Sequence, residues 1–293
     1  MLPLGAVIDG LTPEAAVHLG LPAGTPVAQG GADAEIGMIG LGVVRPGKLA
    51  LITGSSHLHL GLSDKPFHGR GIWGTYADAL IPGLHVVEGG QVSTGSVVNW
   101  FKAMLSDAWD YERLTAEALA LPPGAEGLIV QDHFQGNRTP YTDPRSRGVV
   151  SGLTLKHGPA HIFRAIIEGI AFGTELILET MRGAGYAPEE VVICGGPSRH
   201  DIWLQIHADV SGVPLTTTRV PDAPALGSAI LAAVGAGSYP DIAGAADAMV
   251  HPVRTVEPDA GRHETYRAFY EAYRDTYLAL KDVLHRQAAA ADA

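Results

Sequence analysis

The stretch "PAHIFRAIIEGIAFGTELILETMRGAG" (residues 159–185) decides the fold. Its apolar residues recur at helical spacing until "GAG" ends the pattern, which predicts an amphipathic helix that we expect to be the longest of the chain. Downstream, the patterns predict strand, helix, strand and helix in turn: "EVVICGG" (190–196), "HDIWLQIHADVSG" (200–212), "PLTTTRV" (214–220) and "APALGSAILAAVGAG" (223–237). Strands that alternate with helices predict an α/β layer.

The first half of the chain continues this alternation. "TPEAAVHLGL" (12–21) predicts a short helix with Thr12 as N-cap, "TPVAQGG" (25–31) a buried strand, and "ADAEIGMIGLG" (32–42) a helix that begins beside Asp33. "GKLALITGSSHLHLGLS" (47–63) predicts two strands around a Gly-Ser-Ser turn, and residues 71–91 one or two more. A helical pattern begins at Ser93, and the alanine-rich tail (286–293) is predicted to be a frayed helix end.

Composition restricts the class of protein. The chain has 293 residues, 46% of them hydrophobic, which is enough to bury a substantial core. A net charge of -11 argues against nucleic acid and anionic membranes as partners, because both require a basic surface. Cys194 is the only cysteine, so no internal disulfide forms and a reducing compartment is expected. Without a signal-peptide or membrane-span pattern, we expect a cytoplasmic protein that binds small molecules.

Three glycine-rich turns follow predicted strands. They are "TGSS" (53–56), "EGGQVSTG" (88–95) and "CGGPSRHD" (194–201), and the last two lead into helices. Such turns present free backbone N–H groups to a phosphate, although a glycine turn is usually only a turn. The sequence has neither a Walker A motif nor a G-x-G-x-x-G fingerprint after its first strand.

One carboxylate stands in an unusual setting. "VAQGGADAEIGMIGLG" (27–42) places Asp33 among glycines and small apolar residues, with Glu35 as its nearest acidic neighbour. Glycines beside an acid allow a tight turn and the close approach of a ligand. From the residues alone, Asp33 is an N-cap, a metal ligand or a catalytic base.

Taken together, these segments resemble the C-terminal half of the FGGY carbohydrate kinases. The most specific match is "GVVSGLTLKHGPAHIFRAIIEG" (148–169), which is similar to the family's second signature, with Gly148 and Gly152 before His161, Ala165 and Glu168. Further segments resemble family blocks in the usual order over nearly the whole chain: "GGADAEIG", "ITGSSHLHL", "EGGQVSTGSVVNWF", "FQGNRTPYTDPRSRG", "CGGPSRHDIWLQIHADVSGVPL" and "DAPALGSAILAAVGAG".

The resemblance implies a ribonuclease-H-like, actin-like ATPase fold in which ATP and a sugar meet between two domains. It implies that Asp33 is the general base that takes the proton of the attacking sugar hydroxyl. The residues implied to bind ATP are Gly54 and Ser55 at the phosphates, Gly95 and Asn99 near the nucleotide, and Gly195, Gly196 and His200 at the adenosine, with Gly227 behind them. Mg²⁺ would bridge the phosphates, largely through water, and no protein metal ligand is implied.

Two features depart from the family pattern. Pro197 follows the Gly-Gly pair, which removes one N–H from the adenosine turn, whereas Ser55 keeps the hydroxyl of the commoner threonine. The family's N-terminal Asp-x-Gly-Thr phosphate loop is absent. Residues 1–44 are therefore interpreted as the tail of the sugar-binding domain and 45–285 as the ATP-binding domain. We expect an N-terminal kinase domain as partner, in cis or in trans, or a homodimer, and an isolated chain that is inactive.

The substrate and the class of activity leave alternatives open. Residues 71–91 are closest to the ribulokinase branch and share much with xylulokinases, which favours a ketopentose such as ribulose or xylulose. The alternative is an actin-like module or subunit that binds ATP without phosphorylating a sugar.

Several side chains have a plain structural interpretation. His57 and His59 alternate along one strand without a carboxylate partner, which favours core or surface histidines over a metal pair. An ion pair explains the i, i+4 spacing of Arg164 and Glu168 as well as any ligand role does. Arg138 is placed either in the cleft or as a loop anchor.

Overall fold

The computed structural model describes residues 2–69 and 71–291. The strands are β1 (Val7–Gly10), β2 (Pro26–Ala28), β3 (Lys48–Thr53), β4 (His57–Ser63), β5 (Gly74–Ala77), β6 (His85–Gln91), β7 (Ile129–Gln131), β8 (Val149–Ser151), β9 (Glu190–Cys194), β10 (Leu215–Thr218) and β11 (Pro252–Val256). The α-helices are α1 (Pro13–Leu19), α2 (Asp33–Gly40), α3 (Gly95–Ala103), α4 (Tyr111–Leu119), α5 (Pro159–Gly183), α6 (Asp201–Ser211), α7 (Ala223–Gly235), α8 (Ile242–Met249) and α9 (Ala260–Ala291). Short 3₁₀ turns span Ala125–Gly127 and Gly196–Arg199.

A mixed sheet forms the centre of the molecule. Its strand order is β11-β10-β9-β3-β4-β6-β5; β9 runs parallel to both β3 and β10, and the other neighbours are antiparallel. In the inner part of the sheet, β6, β4 and β3 are antiparallel neighbours, and β9 and β10 then follow parallel to β3. This strand order, β6-β4-β3-β9-β10, is the ribonuclease-H-like arrangement. The α/β, actin-like fold class is therefore confirmed.

Each face of the sheet covers a separate apolar core. Alternate residues of β3 point to opposite faces, so Leu49 and Leu51 pack with α5 and α6, while Ala50 packs with α2, α7 and α8. The continuous apolar run of β9 divides in the same way, with Ile193 on the first side and Val192 on the second. Strands buried on both faces explain why this part of the sequence lacks simple alternation.

Two predictions about elements are wrong. Helix α5 has 25 residues, but α9, with 32, is longer. Strand β2 is not buried: among the described residues it pairs only with β1, in a two-stranded antiparallel sheet, and its side chains are exposed or half-buried. Of the predicted tail, residues 286–291 continue α9, and 292–293 lie outside the described residues.

Helices α2 and α7 approach each other through glycine. A Cβ at Gly40 would overlap the carbonyl oxygen of Ala223, and one at Gly227 would overlap the carbonyl oxygen of Ile36. These contacts require the absence of a side chain on both helices. They fix α2, which begins with Asp33, against the main body of the fold.

Within the described residues, no helix is both long enough and apolar enough to span a membrane.

Candidate active site

A cavity of about 470 Å³ opens where β3 and β9 end. Because the two strands are parallel neighbours, the turns that follow them meet at one edge of the sheet, where ligands of α/β proteins commonly bind. The lining residues come from these turns and from α3, α4, α5 and α6: Gly54, Ser55, Gly95, Val98, Asn99, Tyr111, Thr115, Phe163, Ile167, Gly196, Pro197, Arg199, His200, Ile202 and Trp203. The volume is within the range of small-molecule sites.

The turn after β3 forms one wall and is fixed from behind. The Gly54 N–H donates to the Ser56 carbonyl (2.9 Å), and the Ser55 carbonyl accepts from the N–H of Thr94 and from the hydroxyl of Ser96, each at 2.9 Å. These bonds join the turn to the start of α3. Ser55 itself is exposed, and its hydroxyl makes no hydrogen bond to any described residue. The N–H of Ser55 also has no partner among the described residues, so the turn presents the N–H and the hydroxyl of Ser55 to the cavity.

The turn after β9 forms the opposite wall. Gly195 has φ of 98°, in the left-handed region, and a Cβ there would overlap the carbonyl oxygen of Thr53. Pro197 stands in the first turn of the short 3₁₀ helix that follows, where a backbone N–H has no helical partner in any case. The proline expected to disturb this turn therefore fits it without loss of a hydrogen bond.

The rim of the cavity carries polar side chains. Asn99 accepts a hydrogen bond through Oδ1 from the Tyr111 hydroxyl (2.8 Å), which leaves its NH₂ group free to donate. Arg199 and His200 are exposed, and Arg199 has no hydrogen bond or ion pair to any described residue. A guanidinium without a protein partner adds positive charge at the mouth of the cavity.

The structure brings together most of the residues predicted to bind nucleotide. Gly54, Ser55, Gly95, Asn99, Gly196 and His200 line the cavity, and Gly195 shapes the turn behind it. Gly227 is placed differently, because it does not line the cavity and belongs to the contact between α7 and α2.

Asp33 lies outside the cavity lining, on α2. It is the first residue of the helix; the N-cap is Ala32, which corrects the N-cap alternative. The carboxylate is exposed, and Oδ1 accepts from the Ala34 N–H (2.8 Å), so Oδ2 is free. One turn further along α2, a Cβ at Gly37 would meet the side chain of Ile52, two residues before the Gly54 turn. Helix α2 therefore packs against the end of β3 that leads into the Gly54 turn.

A polar cluster that the sequence analysis did not identify lies on the edge strand β5, on its neighbour β6 and on the loop that contains Arg138. The Glu88 carboxylate accepts from Arg138 Nη2 at 2.5 Å and from the Tyr76 hydroxyl at 3.1 Å. The Arg138 guanidinium lies 4.1 Å from the ring centroid of Trp73, which is half-exposed. Burial and the Glu88 carboxylate raise the pKa of Tyr76, opposed by the Arg138 charge. The motifs "EGGQ" and "GNRTPY" contain Glu88 and Arg138, but their pairing depends on the fold.

Arg164 and Glu168 form the predicted ion pair. Arg164 Nε lies 2.7 Å from Glu168 Oε1, and both side chains are buried. Arg164 also donates to the Ala118 carbonyl and to the Tyr266 hydroxyl, and the Gly124 N–H donates to Glu168. Burial raises the pKa of Glu168, opposed by the Arg164 charge. The pair holds α5, α4 and α9 together.

The fold and the cavity between glycine turns define the class of actin-like ATPases. Within that class, the chain belongs to the FGGY family of carbohydrate kinases: residues 49–236 match the model of the family's C-terminal domain.

Three relatives illustrate the membership. An FGGY carbohydrate kinase domain-containing protein of Xenopus laevis is 35% identical over 96% of this chain and 56% of its own length. A ribulokinase of Shouchella clausii is 33% identical over 93% of this chain and 52% of its own length. The crystal structure of a xylulose kinase from Rhodospirillum rubrum is 29% identical, with a TM-score of 0.85 over 97% of this chain and 57% of that one. The chain thus spans about half the length of the curated relatives it matches.

Proposed function

We propose that the chain is the ATP-binding part of a kinase that phosphorylates a hydroxyl of a small sugar. The observation that carries the proposal is the cavity between the Gly54–Ser55 turn and the Gly195–Gly196 turn, in a chain of the FGGY family. A purine with its ribose fits against the apolar wall of Phe163, Ile202 and Trp203. The phosphates then extend toward the free N–H and hydroxyl of Ser55.

The general base in this proposal is Asp33. Its exposed carboxylate is free at Oδ2, and α2 packs against the end of β3 that leads into the Gly54–Ser55 turn. It would accept the proton of the sugar hydroxyl as that oxygen attacks the γ-phosphate, a role that requires positioning more than covalent chemistry.

Mg²⁺ would accompany the nucleotide and neutralise its phosphates. No three histidine, cysteine or carboxylate side chains among residues 2–69 and 71–291 are placed to hold a metal. In this proposal the cation is held by phosphate oxygens and water.

The proposed substrate is a ketopentose, ribulose or xylulose. Support comes from the relatives named ribulokinase and xylulose kinase. The cluster of Glu88, Arg138 and Tyr76 joins a carboxylate, a guanidinium and a phenol, which are suited to hydrogen bonds with sugar hydroxyls.

The remaining partner in this proposal is the N-terminal kinase domain, in cis or in trans. Large apolar side chains are exposed along the first 28 residues: Leu2, Val7, Ile8, Val17, Leu19, Leu21 and Val27. An apolar surface of this kind marks a contact site, and we assign it to that domain.

Titration calorimetry with Mg-ATP, followed by coupled ADP release over a panel of ketopentoses and polyols, tests the proposal. The informative variant is Gly196→Val, because a Cβ at Gly196 meets no atom within 4 Å and its side chain would fill the cavity. Gly183→Val is the matched control, since Gly183 has equal space but lies outside the cavity. We expect Gly196→Val alone to abolish nucleotide binding.

The outcomes separate the alternatives. A wild-type chain that does not bind Mg-ATP, or binding that Gly196→Val leaves intact, rejects the site. Nucleotide binding with no sugar-dependent ADP release, even after addition of the N-terminal domain, favours the non-catalytic ATP-binding module. Sugar-dependent release by the chain alone would show that it needs no partner.

A further inference from the structure

Three histidine side chains are buried directly behind one wall of the cavity. His57 and His59 lie on β4 and His207 on α6, and their exposed fractions are 0%, 0% and 1%. The ring of His57 lies 6.0 Å from that of His59 and 5.9 Å from that of His207, centroid to centroid. The proposed phosphoryl transfer assigns no role to this cluster.

Two of the three, His57 and His207, contact Trp203, a buried residue at the lining of the cavity. The His207 ring stacks on the indole at 4.9 Å with an interplanar angle of 18°, and the His57 ring meets it edge-on at 5.7 Å and 74°. The indole Nε1 is buried and has no hydrogen-bond partner among the described residues. Since buried indoles usually gain their orientation from such a bond, packing against the two imidazoles must fix this ring.

His207 is itself held in one orientation. Its Nδ1 lies 2.9 Å from the Trp203 carbonyl oxygen. A carbonyl only accepts, so Nδ1 carries the proton and Nε2 is the unprotonated nitrogen of a neutral ring. The bond and the stacking contact both join residues four apart on α6, one turn of the helix.

His57 connects Trp203 with the opposite wall. It is the first residue of β4 after the Gly54–Ser56 turn, and it pairs with Thr53 at the base of that turn. Its backbone therefore closes the Gly54–Ser56 turn, while its ring contacts the indole of Trp203.

We propose that His57 and His207 are positioning residues that hold the Trp203 indole as the wall against which the nucleoside binds. The inference rests on the proposed function, because it requires a nucleotide in this cavity.

The electrostatics keep these rings neutral. Burial, and then His207 and His59, lower the pKa of His57 well below its usual range. Burial and His207 lower the pKa of His59 to about 3, and burial lowers the pKa of His207 to about 4. The adjacent side chains of β6 and α5 are Gln91 and Thr174, which do not ionise; the next carboxylate is Asp132, hydrogen-bonded to Gln91. Neutral flat rings are suited to stacking on an indole.

A double-mutant cycle on Trp203 and His207 tests the proposal, with binding of adenosine and of Mg-ADP measured by calorimetry. We expect His207→Ala to weaken both ligands about tenfold, as the loss of a base-stacking wall does. His207→Phe, which restores a flat ring, should stay within about twofold of wild type. Trp203→Ala should weaken binding as much as His207→Ala, and the double variant no more than Trp203→Ala alone.

The control is His251→Ala, because His251 is exposed and outside the cluster. If His207→Ala does not fold, His207→Leu replaces it as the non-stacking variant. Additive losses in the double variant, or failure of phenylalanine to restore affinity, overturn the positioning role while leaving the nucleotide site intact. Absence of binding in the wild-type chain would instead reject the proposed function.

Discussion

Residues 2–31 and the sheet body show opposite mismatches between residue type and environment. In the first region, apolar side chains are exposed: Val17 is 85% and Ile8 53% accessible. In the second, polar and ionisable side chains are buried, such as His57, Arg164 and Glu168. Each mismatch has a free-energy cost, because apolar side chains remain in water in the first region and polar ones are removed from it in the second. We infer from this comparison that the exposed apolar side chains mark a surface for a partner. The buried polar side chains position other parts of the fold, such as the Trp203 indole and the helices α4, α5 and α9.

The largest effect is expected at the junction of the two regions, at Asp33. Asp33→Asn should lower sugar-dependent ADP release about 10²- to 10⁴-fold and leave nucleotide affinity nearly unchanged, because it removes the proposed general base without altering the cavity. The measurement requires both kinase domains. Asp64→Asn is the control, since Asp64 is also exposed. Equal turnover in the Asp33 variant would remove that residue from the mechanism.

The buried side of the comparison is tested by Arg164→Met. This change leaves Glu168 buried without its cation and should lower the free energy of unfolding by about 3–5 kcal/mol, measured in urea. Replacing both partners, as Arg164→Met with Glu168→Leu, should recover much of that loss.

An exposed pair provides the control. Arg113 and Glu117 have the same i, i+4 spacing and side chains that are nearly half-exposed, so Arg113→Met should cost less than about 1 kcal/mol. Similar losses in the two single variants would show that burial adds nothing to the Arg164 pair.

The histidine cluster predicts sensitivity to acid. Since the folded pKa of His207, about 4, lies below that of an exposed imidazole, the unfolded chain binds more protons below pH 6.5. Stability is therefore fully present above pH 6.5 and falls as the pH approaches 4. His207→Phe should reduce the loss between pH 6.5 and 5 by about 2 kcal/mol, measured by urea unfolding at each pH. Parallel losses in variant and wild type would contradict the assignment.

The smallest effect on the fold is expected in residues 2–31. Val17→Ser should change the free energy of unfolding by less than about 0.5 kcal/mol, because the side chain has little to lose on a surface. It should weaken association with the N-terminal domain, measured by calorimetry. Ala16→Ser is the matched control, because Ala16 is buried and a hydroxyl there should destabilise the fold. Unchanged association would show that the partner binds elsewhere.

The sequence predicted the sheet and helices where periodicity and glycine turns agreed. Strands β3, β4 and β9 and helices α5, α6 and α7 lie where expected, because continuous apolar runs and long 3.6-residue periods have few alternatives. The buried character of β2 was predicted wrongly, since burial depends on neighbours that the local sequence does not contain.

Helix α9 could not be placed from its own pattern. Its buried tyrosines, Tyr266 and Tyr273, donate to carboxylates at Glu168 and Asp132, about a hundred or more residues earlier in the chain. Their polar tips and mixed surroundings resemble a surface helix until those partners are known.

The glycine turns of the candidate site were predicted from the sequence, whereas its side chains were predicted only in part. Glycine turns are visible in sequence because the backbone requirement is local. The pairing of Glu88 with Arg138, and of Trp203 with His57, joins residues from separate elements, so no spacing in the sequence reports it.

The glycine contacts between α2 and α7 have a consequence for motion. Since a Cβ at Gly40 or Gly227 would overlap the facing helix, α2 and α7 are in close contact, and we expect α2 to move together with the body of this chain. In the proposed kinase, the separation of Asp33 from the γ-phosphate is then set within this chain and does not change when the domains close. Closure of the two domains would then bring only the sugar hydroxyl into place. The equilibrium between open and closed domains would govern sugar affinity and the exclusion of water, while the distance from Asp33 to the γ-phosphate would stay constant.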